Sequence, residues 1–388
     1  MPDKPWSLGV VADFPEEGWE SMRLCAEMLL EHFGEASRGA AMATNVTPTF
    51  RRTFSSLPWP YLARRANNAD RMWNRFVTLP RAARGLAGRF DLFHVVDHSY
   101  SQVVQSLPRD RVGVYCHDLD TFRCLLDAKS EPRPWWFRQM ARRILSGLEK
   151  AAVIFHTTRE VGRRLASHGI APPERLVHAP NGVSREFFVA TESVPMEHVG
   201  DRPDPYILHV GTCIDRKRVD VLLDVFAELR RGRRELKLVQ IGGEWTAAQR
   251  TRIDHLGIAA HVRQLRGLDR AALAQYYRHA KLTLLPSEAE GFGLPVIEAL
   301  ACGQVVIASD IATLREVGGD AVVYRAVGEV AEWTAAADKL LSCDLQAPSL
   351  EARRAQAERY TWRAQAETIH RAYESLLAGQ PLPRAGAA

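Results

Sequence analysis

Short apolar runs alternate with longer amphipathic stretches along most of the chain. The runs are rich in β-branched residues, and the stretches between them carry apolar residues at helical spacing. This alternation is typical of an α/β fold, in which parallel sheets are covered by helices on both faces. We predict strands over residues 8–12, 91–96, 112–116, 151–156, 176–179, 206–210, 236–241, 282–285, 305–308 and 321–323.

The pattern is interrupted once near the middle of the chain. Residues 190–205 hold three prolines and scattered charges without periodicity, a composition typical of a linker. We therefore predict an N-terminal domain over 1–196 and a C-terminal domain over 197–362, with a helix and flexible tail over 363–388. The helix is predicted from apolar residues that recur at helical spacing, namely Trp362, Ala366, Ile369, Tyr373 and Leu376.

Length and composition agree with two globular domains. The chain has 388 residues, of which 46% are apolar and 25% charged, and these averages exclude wholesale disorder. No uninterrupted apolar run of membrane-spanning length occurs, and no apolar segment of a signal peptide follows the N-terminus. The six cysteines form no CxxC pair, so we interpret them as buried thiols. We expect a cytoplasmic protein.

The segment over residues 284–303, LLPSEAEGFGLPVIEALACG, carries the clearest candidate chemistry. A predicted strand leads into a loop with Glu290 and two glycines, and Pro295 occupies the first turn of a predicted helix. Glycines allow close backbone approach, and a helix N-terminus favours anions, so this loop suits a phosphate or sugar hydroxyls. Glu298, further along the helix, suits a ribose diol. The alternative is a glycine-rich turn with two solvated carboxylates.

A second candidate lies between residues 206 and 226. A predicted strand ends at Gly211, and Arg216 and Lys217 follow at the mouth of an amphipathic helix. Adjacent cations of this kind suit a diphosphate, because arginine offers a planar fork and lysine a point charge. The alternative is a solvated basic loop.

Seven residues separate Glu290 from Glu298, and EGFGLPVIEALACG resembles the E-x7-E motif of glycosyltransferase family 4, the retaining group 1 glycosyltransferases. The resemblance implies a GT-B fold, with two Rossmann-like domains whose parallel sheets face each other across a cleft. It also implies a C-terminal helix that crosses back to the N-terminal domain. The implied activity is that of a hexosyltransferase.

The resemblance assigns roles to individual residues. It implies that Arg216 and Lys217 bind the donor diphosphate, that Glu298 binds the ribose, and that Glu290 binds the sugar. His117, which ends a predicted strand of the first domain, is implied to touch the transferred sugar; the alternative is a histidine satisfied at a strand end. The donor site also includes residues that act mainly through their backbone, namely Gly211, Gly242, Gly291, Phe292, Gly293 and Leu294.

The acceptor side departs from the family pattern. Members usually place a glycine pair after the first strand, whereas this chain has Gly18 followed by Trp19. We assign both residues, with Asp118, to the acceptor side. Asp118 and Asp120 form a DxD sequence that holds a divalent metal in another transferase fold, but the cations at 216 and 217 already offer charge neutralisation. We expect no metal and no cofactor other than the nucleotide sugar.

We therefore expect a retaining glycosyltransferase that moves a hexose from a nucleotide diphosphate sugar to an acceptor hydroxyl. GDP-mannose is the first choice of donor, with UDP-glucose and UDP-N-acetylglucosamine next, and the acceptor is a lipid-linked glycan or polysaccharide precursor. The alternatives are a nucleotide-sugar epimerase or a phosphorylase of the same fold, or a non-catalytic nucleotide-sugar-binding protein. Fingerprints of nicotinamide, flavin and P-loop proteins are missing from the sequence.

Charge adds one expectation. The 51 basic and 46 acidic residues leave a net charge of +5, and arginines gather in the first half, notably in RPWWFRQMARR over Arg133–Arg143. A basic segment with tryptophans suits peripheral contact with an anionic membrane, here the inner face of the cytoplasmic membrane. The alternative is that the aromatic rings pack inward. Without an RNA-binding or zinc-finger motif, we expect no nucleic acid partner.

Overall fold

The computed structural model describes residues 5–56, 63–129, 131–189 and 204–383. The chain divides into two compact units, Met1–Asn181 with Trp362–Ala388, and Gly182–Thr361. The boundary predicted between residues 196 and 197 lies outside the described residues.

The first unit contains a six-stranded parallel sheet with helices on both sides. Its strand order is β2-β1-β3-β4-β5-β6. The strands are β1 (Trp6–Val11), β2 (Ala41–Asn45), β3 (Leu92–Val95), β4 (Val112–Cys116), β5 (Val153–His156) and β6 (Leu176–His178). The helices are α1 (Glu20–Ala36), α2 (Ala63–Trp73), α3 (Leu79–Arg84), α4 (Arg123–Leu126), α5 (Trp135–Glu149) and α6 (Arg159–Ser167); a π-helical stretch, Asn74–Thr78, joins α2 to α3.

The second unit contains a six-stranded parallel sheet of the order β12-β11-β10-β7-β8-β9. A short helix, α7 (Arg185–Phe188), precedes the first strand. The strands are β7 (Tyr206–Gly211), β8 (Lys237–Gly242), β9 (Val262–Leu265), β10 (Leu282–Leu285), β11 (Val306–Ser309) and β12 (Val323–Arg325). The helices are α8 (Val219–Gly232), α9 (Ala247–His255), α10 (Arg270–His279), α11 (Leu294–Ala301), α12 (Ala312–Gly318), α13 (Val330–Leu341) and α14 (Leu350–Glu358).

The last helix, α15 (Trp362–Leu377), belongs to the first unit although it follows the second in sequence. Its His370 ring stacks on Trp6 at a centroid distance of 5.5 Å. The hydroxyl of Tyr373 donates to the Phe93 carbonyl at 3.1 Å and lies 2.8 Å from His94 Nδ1. The C-terminal helix thus completes the packing of the N-terminal sheet, as the family resemblance implied.

The strand prediction and the expectation of two parallel α/β domains are confirmed. Each of the ten predicted strands corresponds to an observed one, and both units have the parallel α/β architecture that the alternation predicted. The two strands that the pattern missed, β2 and β9, are both at the edge of their sheet. An edge strand needs no continuous apolar run, because part of it faces water.

Two further observations concern the expectations from composition. Five of the cysteines are buried as predicted, but Cys343 is exposed, so the interpretation of all six as buried thiols was wrong for that residue. It lies just beyond α13 with a positive φ of 62°, a turn position that faces solvent. Among the described residues, no helix combines the length and apolar character that crossing a membrane requires.

Candidate functional site

Lys217 and Glu290 form a buried ion pair in the second unit. Lys217 follows β7 and Glu290 follows β10, and these strands are neighbours in the sheet, so their loops leave the same edge. Lys217 Nζ donates to Glu290 Oε1 at 2.5 Å, and the two side chains are 10% and 5% exposed. Burial alone would raise the pKa of Glu290, but the charges of Lys217 and Arg216 hold this pKa below its ordinary value. Glu290 is therefore an ionised carboxylate beside two cations.

Arg216 ties the same two loops together. Its backbone carbonyl accepts from the Glu288 N–H at 2.9 Å, and its guanidinium donates to the Ala289 carbonyl at 2.9 Å. A terminal nitrogen of Arg216 also lies 3.7 Å from Glu290 Oε2. Both predicted cations thus lie beside the predicted carboxylate, and the basic loop is not simply solvated.

Arg218 is the third cation of the run, and its side chain pairs with Asp220. It precedes α8 with a positive φ of 46° and pairs with Asp220 through three hydrogen bonds of 3.0, 3.3 and 2.8 Å. Asp220 in turn has a pKa that burial would raise and that the Arg218 hydrogen bonds lower. The Arg218 side chain is therefore held by Asp220 in the first turn of its own helix.

The glycine-rich loop after Glu290 leads directly into α11. Gly293 caps the helix with a φ of 99°, and a Cβ at this position would lie 2.7 Å from Leu314 Cδ2. Pro295 is in the first turn, as predicted. The Phe292 ring is turned into the core, where it packs edge-on against Tyr360 at 5.6 Å. Gly291, Phe292, Gly293 and Leu294 thus present mainly backbone at a helix N-terminus, a place that suits an anion or a hydroxyl.

Glu298 lies on α11 and is almost completely buried. One of its carboxylate oxygens accepts a hydrogen bond from the Tyr277 hydroxyl at 3.1 Å. Burial raises the pKa of Glu298 to about 7, although the Tyr277 hydrogen bond and the charge of Arg270 oppose the shift. A carboxyl group poised near neutrality can bind a diol, because hydroxyl donors stabilise its ionised form.

Gly211 and Gly242 end adjacent strands and pair with each other in register. Gly242 has a φ of 123°, and a Cβ there would lie 2.7 Å from the Gly211 carbonyl oxygen. Gly243 N–H donates to the same oxygen at 3.0 Å. The glycines thus let the backbone after β8 pack directly under the loop that carries the two cations.

His209, on β7, is close enough to Lys217 and Glu290 to feel their charges, and it was not among the predicted residues. Its Nδ1–H donates to the Leu284 carbonyl at 3.1 Å, and its Nε2 has no hydrogen-bond partner among the described residues. Burial and the nearby Lys217 lower the pKa of His209 to about 4, with the Leu284 carbonyl opposing them. Sequence reasoning missed this neutral imidazole and also Tyr277, because both read as core residues of a strand and a helix.

In the first unit, His117 follows β4 directly and is buried. Its Nε2–H donates to the Val96 carbonyl at 2.8 Å, and burial lowers its pKa although Asp97 opposes the shift. One ring nitrogen of His117 is therefore satisfied by backbone. Asp118 Oδ1 accepts from the Asp120 N–H at 3.0 Å and lies 3.7 Å from His98 Nε2.

The predicted acceptor residues Gly18 and Trp19 lie between β1 and α1. Gly18 has a φ of 74° and ends a 3-10 turn over Pro15–Glu17. Trp19 precedes α1 and is 51% exposed. The loop thus presents an aromatic ring to solvent where the family pattern has small residues.

The basic segment Arg133–Arg143 begins two residues before α5 and continues through the first part of that helix. Trp135 and Trp136 are exposed by 77% and 55%, whereas Ala141 and Ile144 face the core. The two tryptophans therefore do not pack inward. Arg133 pairs with Glu131.

Comparison with known proteins agrees with the family that the sequence motif resembles. The family model described as glycosyl transferases group 1 matches residues 195–360. D-inositol 3-phosphate glycosyltransferase of Segniliparus rotundus is 28% identical over 310 residues, with 74% of this chain and 68% of that protein covered. The Rhodococcus opacus protein of the same name is 30% identical over 321 residues, with 76% and 69% covered.

A solved structure extends the likeness to nearly the whole chain. Anabaena Alr3699/HepE, in complex with UDP and glucose, superposes with a TM-score of 0.71 at 14% identity. The match covers 96% of this chain and all of that one (100%). At this identity the likeness concerns the fold.

Proposed function

The chain belongs to the group 1 glycosyltransferases and is a hexosyltransferase, and on that premise we propose that the second unit binds the nucleotide diphosphate sugar. Arg216 and Lys217 are proposed to bind the diphosphate, Glu298 the ribose, and Glu290 with the backbone of the glycine-rich loop the transferred hexose. Gly211 and Gly242 shape the floor under the diphosphate.

The buried pair of Lys217 and Glu290 carries this proposal. A surface lysine would lose most of its charge effect to water, whereas Lys217 is 10% exposed and held at a fixed position by a carboxylate and a folded loop. When the sugar leaves, negative charge grows on the departing nucleoside diphosphate. Preorganised cations and a helix N-terminus stabilise that charge without moving, which is the main electrostatic route to catalysis. The reaction retains the anomeric configuration, by same-face displacement in which the leaving phosphate helps to deprotonate the acceptor hydroxyl.

Among donors we favour GDP-mannose, with UDP-glucose and UDP-N-acetylglucosamine next. The complex of the Anabaena neighbour with UDP and glucose supports testing the uridine donors beside the guanosine donor. No metal or further cofactor is part of the proposal. His117 and Asp118 of the first unit are proposed to act toward the sugar and the acceptor.

The test is release of nucleoside diphosphate from each of the three donors, with and without a panel of sugar acceptors. Release that depends on an acceptor, with a glycoside product that keeps the donor's anomeric configuration, supports the proposal. Acceptor-independent release with a free epimerised sugar would favour an epimerase and contradict it. A donor that binds without turnover would favour a non-catalytic binding protein.

We also propose that α5 makes peripheral contact with an anionic membrane and that the acceptor is a lipid-linked glycan or polysaccharide precursor. Two exposed tryptophans stand at the start of this helix, and Arg142 and Arg143 on it are exposed as well. Aromatic rings at headgroup level together with arginines are the usual means of interfacial binding.

A further inference from the structure

Tyr277 and Glu298 form a buried pair between two neighbouring helices of the second unit, α10 and α11. The Tyr277 hydroxyl donates to Glu298 Oε2 at 3.1 Å, and this carboxylate is its hydrogen-bond partner in the described part of the chain. Tyr277 is fully buried, and its ring packs edge-on against Phe187 at 6.0 Å. Packing therefore holds the hydroxyl in one place, where it serves one acceptor.

The second carboxylate oxygen of Glu298, Oε1, is the one that a ligand can reach. It accepts no hydrogen bond from the described residues, and it is not among their polar atoms that are shielded from solvent and lack partners. Glu298 is 7% exposed and lies in the second turn of α11, the helix that begins at the glycine-rich loop. One oxygen is thus fixed by Tyr277 and the other is open beside the candidate donor site.

Packing alone does not require a carboxylate at this position. Tyr206 lies in the same apolar core, and its hydroxyl donates to the backbone carbonyl of Tyr276 at 2.7 Å. A carboxylate is a costly partner for a buried hydroxyl, because burial disfavours its charge. The pair of Tyr277 and Glu298 is therefore less stable than packing requires, and what it adds is an open acceptor that can carry negative charge.

Tyr277 favours the ionised form of Glu298. Burial raises the pKa of Glu298 to about 7, and the Tyr277 hydrogen bond and the charge of Arg270 oppose the shift. Burial also raises the pKa of Tyr277 well above its ordinary value, so its hydroxyl keeps its proton to donate. A hydroxyl that donates stabilises a carboxylate more than a neutral acid, because the bond is charge-assisted.

Few other charged groups act on Glu298. Arg270 of α10 pairs with Glu186 of α7 at 3.8 Å. Cys302, one turn further along α11, stays neutral because burial raises its pKa to about 12, and Arg354 of α14 acts on this thiol. In the described chain, no group of α12, β10 or β11 shifts the pKa of Glu298 by its charge. Burial and α10 thus govern the ionisation of Glu298.

From this geometry we propose that Tyr277 is a positioning residue for donor binding: its hydroxyl holds one oxygen of Glu298, so that the other oxygen of the ionised carboxylate accepts from the ribose hydroxyls of a nucleoside diphosphate. The inference rests on the proposed function, because it concerns the ribose end of the same donor site. Ribose recognition then weakens as pH falls through about 7, since less of the free protein carries the ionised carboxylate. Tyr277 sets where on the pH scale this loss occurs.

The test measures how much the ribose hydroxyls contribute to binding at each pH. Calorimetry on the full chain compares UDP with 2′,3′-dideoxy-UDP, and GDP with its dideoxy analogue, between about pH 6 and about pH 9. Both ligands of a pair carry the same diphosphate, so its own titration cancels in the ratio of their dissociation constants. In wild type the ratio should favour the ribonucleotide by at least about tenfold near pH 8 and fall about tenfold by pH 6.

Tyr277→Phe removes the donor and should raise the pH at which the preference for ribose is lost. Near pH 7 its preference should be at least about threefold below that of wild type, and the difference should shrink toward pH 9, where both carboxylates are ionised. Tyr206→Phe is the matched control, because it removes a buried tyrosine hydroxyl from the same core, and its pH profile should match wild type. Glu298→Gln keeps an oxygen for Tyr277 but does not titrate, so its preference should be weak and independent of pH.

Three results would overturn the inference: a Tyr277→Phe profile that coincides with wild type, a loss in Tyr277→Phe that is equal at every pH, or a Glu298→Gln variant whose preference still depends on pH. A wild type whose preference for ribose does not change with pH would contradict it however the variants fold, and thermal unfolding shows whether they do. Failure of the proposed function has a separate result, because neither the nucleoside diphosphates nor their dideoxy analogues would then bind.

Discussion

Lys217 Nζ and Glu290 Oε1 lie 2.5 Å apart although 73 residues separate them in sequence. The contact exists because β7 and β10 are neighbours in the sheet and the two loops leave its same edge. Ligands of open parallel sheets bind at the carboxyl ends of the strands, so the pair stands where a donor is expected. Its burial fixes the lysine charge at one place, which is the property that the proposed chemistry needs.

Removing either partner of this pair should reduce catalysis. We expect Lys217→Ala and Glu290→Ala each to lower turnover at least about tenfold, because leaving-group stabilisation and sugar positioning are lost. Lys217→Ala also leaves a buried carboxylate without its main cation, at a cost of about 3 kcal/mol in unfolding free energy. Steady-state kinetics and urea unfolding measure the two effects.

Arg218→Gln is the matched control for these variants. It removes a neighbouring cation that pairs with Asp220 instead of Glu290. Near-normal turnover is expected of this control. Near-normal turnover in both Lys217→Ala and Glu290→Ala would reject the site.

Glu298 should make stability depend on pH. Its folded-state pKa of about 7 lies above the ordinary value of 4.5, so the folded chain holds the extra proton between these pH values. Stability therefore falls as pH rises through that interval, by on the order of 3 kcal/mol in total. Glu298→Gln should be more stable than wild type at about pH 8 and match it near pH 4.5. A variant less stable than wild type at the higher pH would contradict this account of Glu298.

Gly293 should not tolerate a side chain. Its φ of 99° and the 2.7 Å approach to Leu314 mean that Gly293→Ala strains the backbone and displaces a core residue at once. We expect weaker binding of nucleoside diphosphate and a lower melting temperature. Gly257→Ala, also at positive φ but in open space, is the control, and its cost should be only about 1 kcal/mol. Equal effects of the two substitutions would show that the loop geometry does not matter for binding.

Membrane contact through α5 is tested by flotation with vesicles that contain anionic lipid. Wild type should float at low ionic strength and be released by salt, because the Debye length shortens to about 10 Å at 0.1 M. The double variant Trp135→Ala/Trp136→Ala should bind much more weakly. Trp19→Ala removes an exposed tryptophan elsewhere and should float like wild type. Absence of wild-type binding at low salt would exclude the contact.

The sequence predicts the sheets well because most strands are buried on both faces and therefore read as apolar runs. The edge strands escape detection because they are not buried on both faces and therefore carry no apolar run. β2 reads AMATN with one buried residue, and β9 reads VRQL with four half-buried ones. Neither shows the continuous or alternating pattern on which strand prediction depends.

The residues of the candidate site also differ in how well the sequence predicts them. Lys217 and Glu290 were predictable, because charged residues in glycine-containing loops after strands have few structural reasons to be there. Tyr277 was not predictable as the partner of Glu298, because a tyrosine on α10 reads as core and its contact depends on how two helices pack.

The central claim is that the second unit holds a nucleotide diphosphate sugar through Lys217 and Glu290. A thermal-shift screen of wild type and Lys217→Ala against GDP-mannose, UDP-glucose and UDP-N-acetylglucosamine tests it most directly. One donor at about 100 times its dissociation constant should stabilise the wild type by about 2.7 kcal/mol, and the variant should lose most of that gain. An unchanged gain in the variant, or no stabilisation of wild type by any of the three, would contradict the claim.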